Sequence, residues 1–150
     1  MKDDLSPVLE KIKDADAIIF GSPIYFMNLT AGMIGFIERL FFSNYIYSEE
    51  IPTVFPKKLP SAFFYTMNMT REQFEQFGMS GRLGMYEFFA GRIFQVQPKI
   101  FRAYNTVQFK DYSRYESSIF DADEKFAYKE KHFPEDCAAA YEIGRELVSE

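Results

Sequence analysis

The stretch ADAIIFGSPIYFMNLTAGMIGFIERL, from Ala15 to Leu40, decides the fold. Between Ala17 and Ile37 it carries no charge, and a membrane-spanning helix needs about 20 such residues. Its middle argues against a span. Gly21, Ser22 and Pro23 in succession break a helix, and Asn28 and Thr30 would place polar groups at mid-membrane depth. The flanks change period instead. Ala17-Ile18-Ile19-Phe20 is a short apolar, β-rich run suited to a strand buried on both faces. Farther on, Met33, Ile34, Phe36, Ile37, Leu40 and Phe41 recur at helical spacing, with Glu38 and Arg39 turned the other way. The segment therefore reads as a strand over 16–21, a loop, and a helix over about 31–42.

The same grammar extends outward. Leu5, Val8, Leu9 and Ile12 share one helical face, with Asp4 or Ser6 as N-cap and Pro7 in the first turn, where its missing N–H is harmless. Ser43 to Lys58 is a long connection holding Pro52, Pro56 and several aromatics, and long ordered loops are often functional. Residues 60–66 read as a second buried strand. Thr70 with Gln73 then makes a capping box for REQFEQF, which Gly78 stops. Leu83, Tyr86, Phe89, Ala90, Ile93 and Phe94 mark a further helix, and 99–107 a third strand. After a charged segment, the last helix is expected from Pro134, burying Cys137, Ala140, Tyr141, Gly144 and Val148. Strands alternating with helices imply a parallel sheet with helices on both faces, whose ligands bind outside the carboxyl ends of the strands. The loops there are GSPIYFMN and TMNMT.

Composition narrows the function classes. The chain has 150 residues and a net charge of −5, which fits one domain and argues against a nucleic-acid binder. Its single cysteine excludes an internal disulfide and a cluster held by several thiolates. Met1-Lys2-Asp3-Asp4 leads into an amphipathic helix rather than an apolar leader, so the cytoplasm is the expected compartment. No catalytic triad or metal cluster stands out. His132 reads as a solvated surface residue, and Cys137 as an apolar filler.

The segments Asp14 to Arg39, Phe55 to Thr70 (FPKKLPSAFFYTMNMT) and Tyr104 to Tyr115 (YNTVQFKDYSRY) together resemble the flavodoxin-like NAD(P)H-dependent FMN reductases, in particular their iron–sulfur flavoprotein-like branch. The resemblance implies a flavodoxin-like α/β fold, a doubly wound parallel sheet. Here it is N-terminally truncated, with three recognisable strands in a partial domain over 1–150. Family members begin with a strand and a phosphate-gripping loop; this sequence reads as starting about two βα units late and lacks the cysteine cluster. What remains resembles the part that cups the isoalloxazine ring.

By that resemblance, Ser22, Pro23, Ile24, Tyr25, Phe26, Met27 and Asn28 form the loop under the flavin. Pro23 fixes its turn, and Tyr25 or Phe26 supplies an aromatic wall. Asn28 and backbone N–H groups meet the ring's pyrimidine edge, while Thr66, Met67 and Asn68 form the second wall. Tyr112 and Tyr115 frame the pocket or pack as a lid. The implied cofactor is FMN, with NAD(P)H as co-substrate; hydride passes through flavin N5 to a quinone, free flavin or other small-molecule acceptor. Without a phosphate loop, FMN should lose charge-assisted hydrogen bonds of about 1.5–3 kcal/mol each. A second expectation is a non-enzymatic scaffold, acting as an oligomerisation or binding module. In both, the strand at 16–21 is an orphan edge expected to pair with a second copy in a homo-oligomer.

Overall fold

The computed structural model describes residues 3–149. Of the four residues on which the leaderless expectation rests, Met1 and Lys2 lie outside them. Helices and strands follow as α1 (Ser6–Asp14), β1 (Ile18–Tyr25), β2 (Asn28–Leu29), α2 (Ala31–Asn44), β3 (Ser61–Thr66), α3 (Arg71–Gln76), α4 (Met79–Phe94), β4 (Lys99–Ala103) and α5 (Ala122–Leu147). The sheet order is β2-β1-β3-β4. The β1–β3 and β3–β4 pairs are parallel and β1–β2 is antiparallel. Three parallel strands match the expected number; the two-residue β2 is additional.

Side-chain alternation separates the two faces. Phe20 and Phe63 stack with ring centroids 4.7 Å apart, and Phe20 also meets Phe36 and Phe41 of α2 and Phe94 of α4. This aromatic layer is the main core, and α1 adds Leu9 and Ile12 to it. Lys99 points to the opposite face, where its Nζ lies 2.6 Å from Glu146 of α5. So α5 covers the β4 side of that face, while Ile19 and Tyr25 on β1 remain exposed there.

Several boundaries differ from the sequence reading. β1 does not end at Gly21; it pairs with β3 as far as Pro23↔Thr66. The Ile18 N–H donates to the Pro60 carbonyl, so in a parallel ladder Phe20 and Ser22 also face β3 while Ile19, Gly21 and Pro23 face the open edge. Pro23 thus sits in a strand rather than a turn, its missing N–H directed where no ladder bond is lost. β4 stops at Ala103 because Asn105 turns left-handed, with φ 50°.

The last helix starts at Ala122, twelve residues before Pro134, which lies inside it. Asp121 caps it by accepting from the Glu124 N–H, and Asp123 and Glu124 complement the dipole in its first turn. Its inward stripe is shifted: Lys125 and Leu147 are buried, Ala140 and Gly144 half-buried, and Cys137, Tyr141 and Val148 exposed. At the start of α1, neither Asp4 nor Ser6 is the cap. Leu5 holds that position, and Asp3 Oδ1 accepts from the Ser6 N–H at 3.0 Å. The capping box of Thr70 and Gln73 is present, and Gly78, at φ 64°, separates α3 from α4.

Candidate functional site

The register places Pro23, Thr66 and Ala103 side by side, so the three parallel strands end together. The chain leaves β1 through a two-residue hairpin turn, Phe26-Met27, closed by the Tyr25↔Asn28 pair. Both turn residues are left-handed, φ 49° and 62°. That is the geometry whose twist suits a tight hairpin, although Asn or Gly ordinarily supplies it. Phe26 stands fully in solvent at 103% exposure, while Met27 is half-buried against the core.

Beyond β3 and β4 the segments are knitted by backbone hydrogen bonds. Met67 N–H donates to Ala103 O at 3.0 Å, Asn105 N–H to Met69 O at 2.9 Å, and Thr106 N–H to Met67 O at 2.9 Å. The Asn68 side chain is held on both sides: its Nδ2 donates to Gln108 Oε1 at 3.0 Å and its Oδ1 accepts from Lys125 Nζ. Burial lowers the Lys125 pKa, against the opposing charge of Glu124.

The ten residues expected to form the site divide by face. Pro23, Tyr25 and Thr66 fall on the face away from α2 and α4, and Tyr25 and Thr66 are exposed. Ser22, Ile24 and Met67 are buried. Ser22 Oγ accepts from the Thr30 N–H at 3.1 Å, fixing the entry to α2, and Thr30 in turn caps that helix. Asn28 Oδ1 accepts from Leu29 N–H at 2.8 Å and from Tyr86 Oη at 3.3 Å. What the structure brings within reach of a ligand is Tyr25, Phe26, Thr66, Asn68 and the backbone between Tyr25 and Asn28. Two of these side chains are aromatic, a type of surface on which planar rings stack. The set includes no glycine-rich anion-binding turn for a phosphate among the described residues.

Two cavities adjoin this end of the sheet. One of about 530 Å³ lies between α2 and α4 and is lined by Met27, Asn28, Ile37, Phe41, Met85, Tyr86 and Phe89 among others. The other, about 520 Å³, lies between the segment 104–110 and α5, with Tyr104, Phe109, Phe126, Phe133 and Asp136 in its wall. Burial raises the pKa of Tyr104 and of Asp136 there. Tyr112 is buried and its Oη accepts from the Gln108 N–H at 3.2 Å, whereas exposed Tyr115 stacks on Phe109. His132 is half-buried rather than solvated, 2.8 Å from Glu135 and against the Tyr128 ring.

Sequence reasoning missed Lys125 and the left-handed turn. Lys125 was hidden in a charged run whose only signal was helical spacing from Lys125 to Tyr128 and His132. No described helix is long and apolar enough to cross a membrane, and no group of three potential metal ligands occurs among the described residues.

Comparison with known proteins agrees with the fold. A family model described as NADPH-dependent FMN reductase matches residues 1–54. The chain is 50% identical over 38 residues to an iron-sulfur flavoprotein of Archaeoglobus fulgidus, a match covering 25% of this chain and 19% of that protein. In structure it is similar to an NAD(P)H:quinone oxidoreductase from Methanothermobacter marburgensis, with a TM-score of 0.57 and 20% identity, over 75% of this chain and 56% of that one. It is also similar to a Klebsiella pneumoniae protein described as a quinone reductase, with a TM-score of 0.53 and 20% identity, over 87% of this chain and 54% of the other. The chain thus spans about half the length of these solved structures.

Proposed function

From findings that support the flavodoxin-like FMN reductase family, we propose that this chain forms the ring-binding part of an FMN-dependent NAD(P)H oxidoreductase. The observation that carries the reading is the hairpin turn at Phe26-Met27. Left-handed backbone at two bulky residues is costly, and such strain concentrates at ligand sites. Here it lifts an aromatic ring clear of the carboxyl ends of the strands, where α/β sheets bind ligands.

When bound, FMN supplies the hydride chemistry at N5, between NAD(P)H and a quinone, free flavin or other acceptor. The protein's own residues bind and orient. Tyr25 and Phe26 would wall one side of the ring, and Thr66 and Asn68 the other. The backbone of the turn would meet its polar edge. Rigidity of the second wall comes from the bonds that join Met67 to Ala103 and Asn68 to Gln108 and Lys125. The exposed lone Cys137 is consistent with a reducing cytoplasm.

A second reading is a non-enzymatic module that keeps the scaffold and pairs through its sheet edge; it is favoured by the open edge of β1 beside exposed Ile19. Titration with FMN, followed by quenching of flavin fluorescence, separates the two. Saturable micromolar binding, with NAD(P)H oxidation in the presence of a quinone, is expected from the first, and sub-micromolar binding would mean that phosphate contacts are supplied across an interface. Absence of binding at tens of micromolar overturns the first reading and leaves the second.

A further inference from the structure

One buried titratable group is not absorbed by ring binding alone. Lys125, in the first turn of α5, is only 6% exposed, and lysines are almost never that buried unless paired. No carboxylate forms an ion pair with it among the described residues. Its Nζ donates to the Asn68 carbonyl oxygen at 2.7 Å and to Asn68 Oδ1, and lies 5.4 Å from the centroid of the Phe120 ring. Asn68 continues the chain of contacts to Gln108. One ammonium group therefore ties α5 to the turn after β3, and through it to the segment after β4.

Holding Asn68 needs only a neutral donor. A neutral donor would avoid the cost of burying a charge. Nor does a local carboxylate explain the choice, since Glu124 affects Lys125 without forming an ion pair with it. What a buried cation adds is attraction for negative charge arriving nearby, weakly screened because water is excluded.

We propose that Lys125 is a positioning residue with an electrostatic role: it clamps Asn68 to α5 and sets positive charge behind the second wall, favouring an electron-rich, anionic ring over a neutral one. The proposal rests on the FMN reading of the site. For a flavin it means that the reduced form gains more from the site than the oxidised form does.

The test compares the full chain with Lys125→Met, Lys125→Gln and Lys125→Arg. Two readouts are needed: the two-electron midpoint potential of bound FMN, and hydrogen exchange in the FMN-free protein. Lys125→Met is expected to reduce the preference for reduced over oxidised FMN at least tenfold, a fall of about 30 mV. Lys125→Arg, which keeps the charge, is expected to stay within about threefold of wild type, under half of that tenfold interval on the same scale. In the FMN-free protein, Lys125→Met should lose protection at the amides of Met67, Asn105 and Thr106, which join the two segments.

A wild-type potential in Lys125→Met overturns the electrostatic role and leaves the functional reading standing. Should that variant fail to fold, Lys125→Gln decides the same point, since it keeps a donor and removes the charge. A wild type that binds no FMN overturns the functional reading and the charge role together. The clamp is then judged by exchange alone, and unchanged protection overturns it.

Discussion

Phe26 stores conformational energy in the open. At φ 49° and 103% exposure it has neither the backbone preference nor the packing that would ordinarily place it there. A left-handed conformation costs an L-residue with a Cβ roughly 1–2 kcal/mol. Met27 differs, because contact with the core helps hold its own positive φ. Replacing Phe26 alone therefore isolates the strain. Phe26→Asn, suited to the first position of this turn, should stabilise the protein by about 1 kcal/mol. For a chain of this length that is a rise in Tm of about 2–4 °C. The same change removes an aromatic wall worth about 0.5–1.5 kcal/mol, so FMN affinity should fall by up to about tenfold. Calorimetry and flavin titration on one preparation check both. Lower stability would show that the turn is relaxed, and unchanged FMN affinity that Phe26 does not touch the ring.

Among the elements, local signals were legible in the sequence and facing was not. The Thr70/Gln73 capping box, the left-handed Gly78 and the apolar stripe of α2 each depend on a few neighbouring residues, and each stands where the pattern puts it. The sequence reading ends β1 too early because Pro23 breaks a strand only where its N–H is needed, and here that position faces the open edge. Which side of a strand lies against a partner is a property of the sheet, absent from the local string. That one error moved Ser22 and Ile24 from a ligand loop into buried strand positions, while Tyr25 and Phe26 stayed accessible. The sequence reading also starts α5 too late, for a related reason. Proline favours a first turn, yet a strong cap at Asp121 and helical spacing through Lys125 carry the helix past Pro134. Pro134 then lacks the N–H that would bond to the Glu130 carbonyl. Pro134→Ala should accordingly stabilise the protein by about 1–3 kcal/mol. An increased urea midpoint at unchanged slope would confirm it; a lowered midpoint would mean that Pro134 itself helps to seat Lys125 and Leu147.

At the scale of the whole molecule, β1 leaves part of a sheet edge unpaired. β2 closes β1 over Ile24 and Tyr25, and the remaining edge, from Ile18 to Pro23, presents the N–H and C=O groups of Ile19 and Gly21. Exposed, unpaired edges are templates for another strand, so the proposed homo-oligomer is argued from here. The two copies would exchange only the few hydrogen bonds that these residues offer. At about 0.5–1.5 kcal/mol net each, those bonds fall short of the roughly 4–15 kcal/mol that association costs. Apolar burial must therefore supply the difference, and Ile19, half exposed on the face that α5 leaves bare, is placed to do so. The pairing should accordingly be weak and concentration-dependent, and two substitutions test it. Gly21→Pro removes an edge N–H without breaking the β1–β3 ladder, and a Cβ there meets nothing within 4 Å. Ile19→Lys puts a charge where the second copy would lie. Light scattering across a concentration series should find wild type moving from one chain toward two, and both variants staying at one with little change in Tm. Variants that still dimerise would move the interface elsewhere, and a wild type that stays monomeric at every concentration would leave the edge open to a different strand.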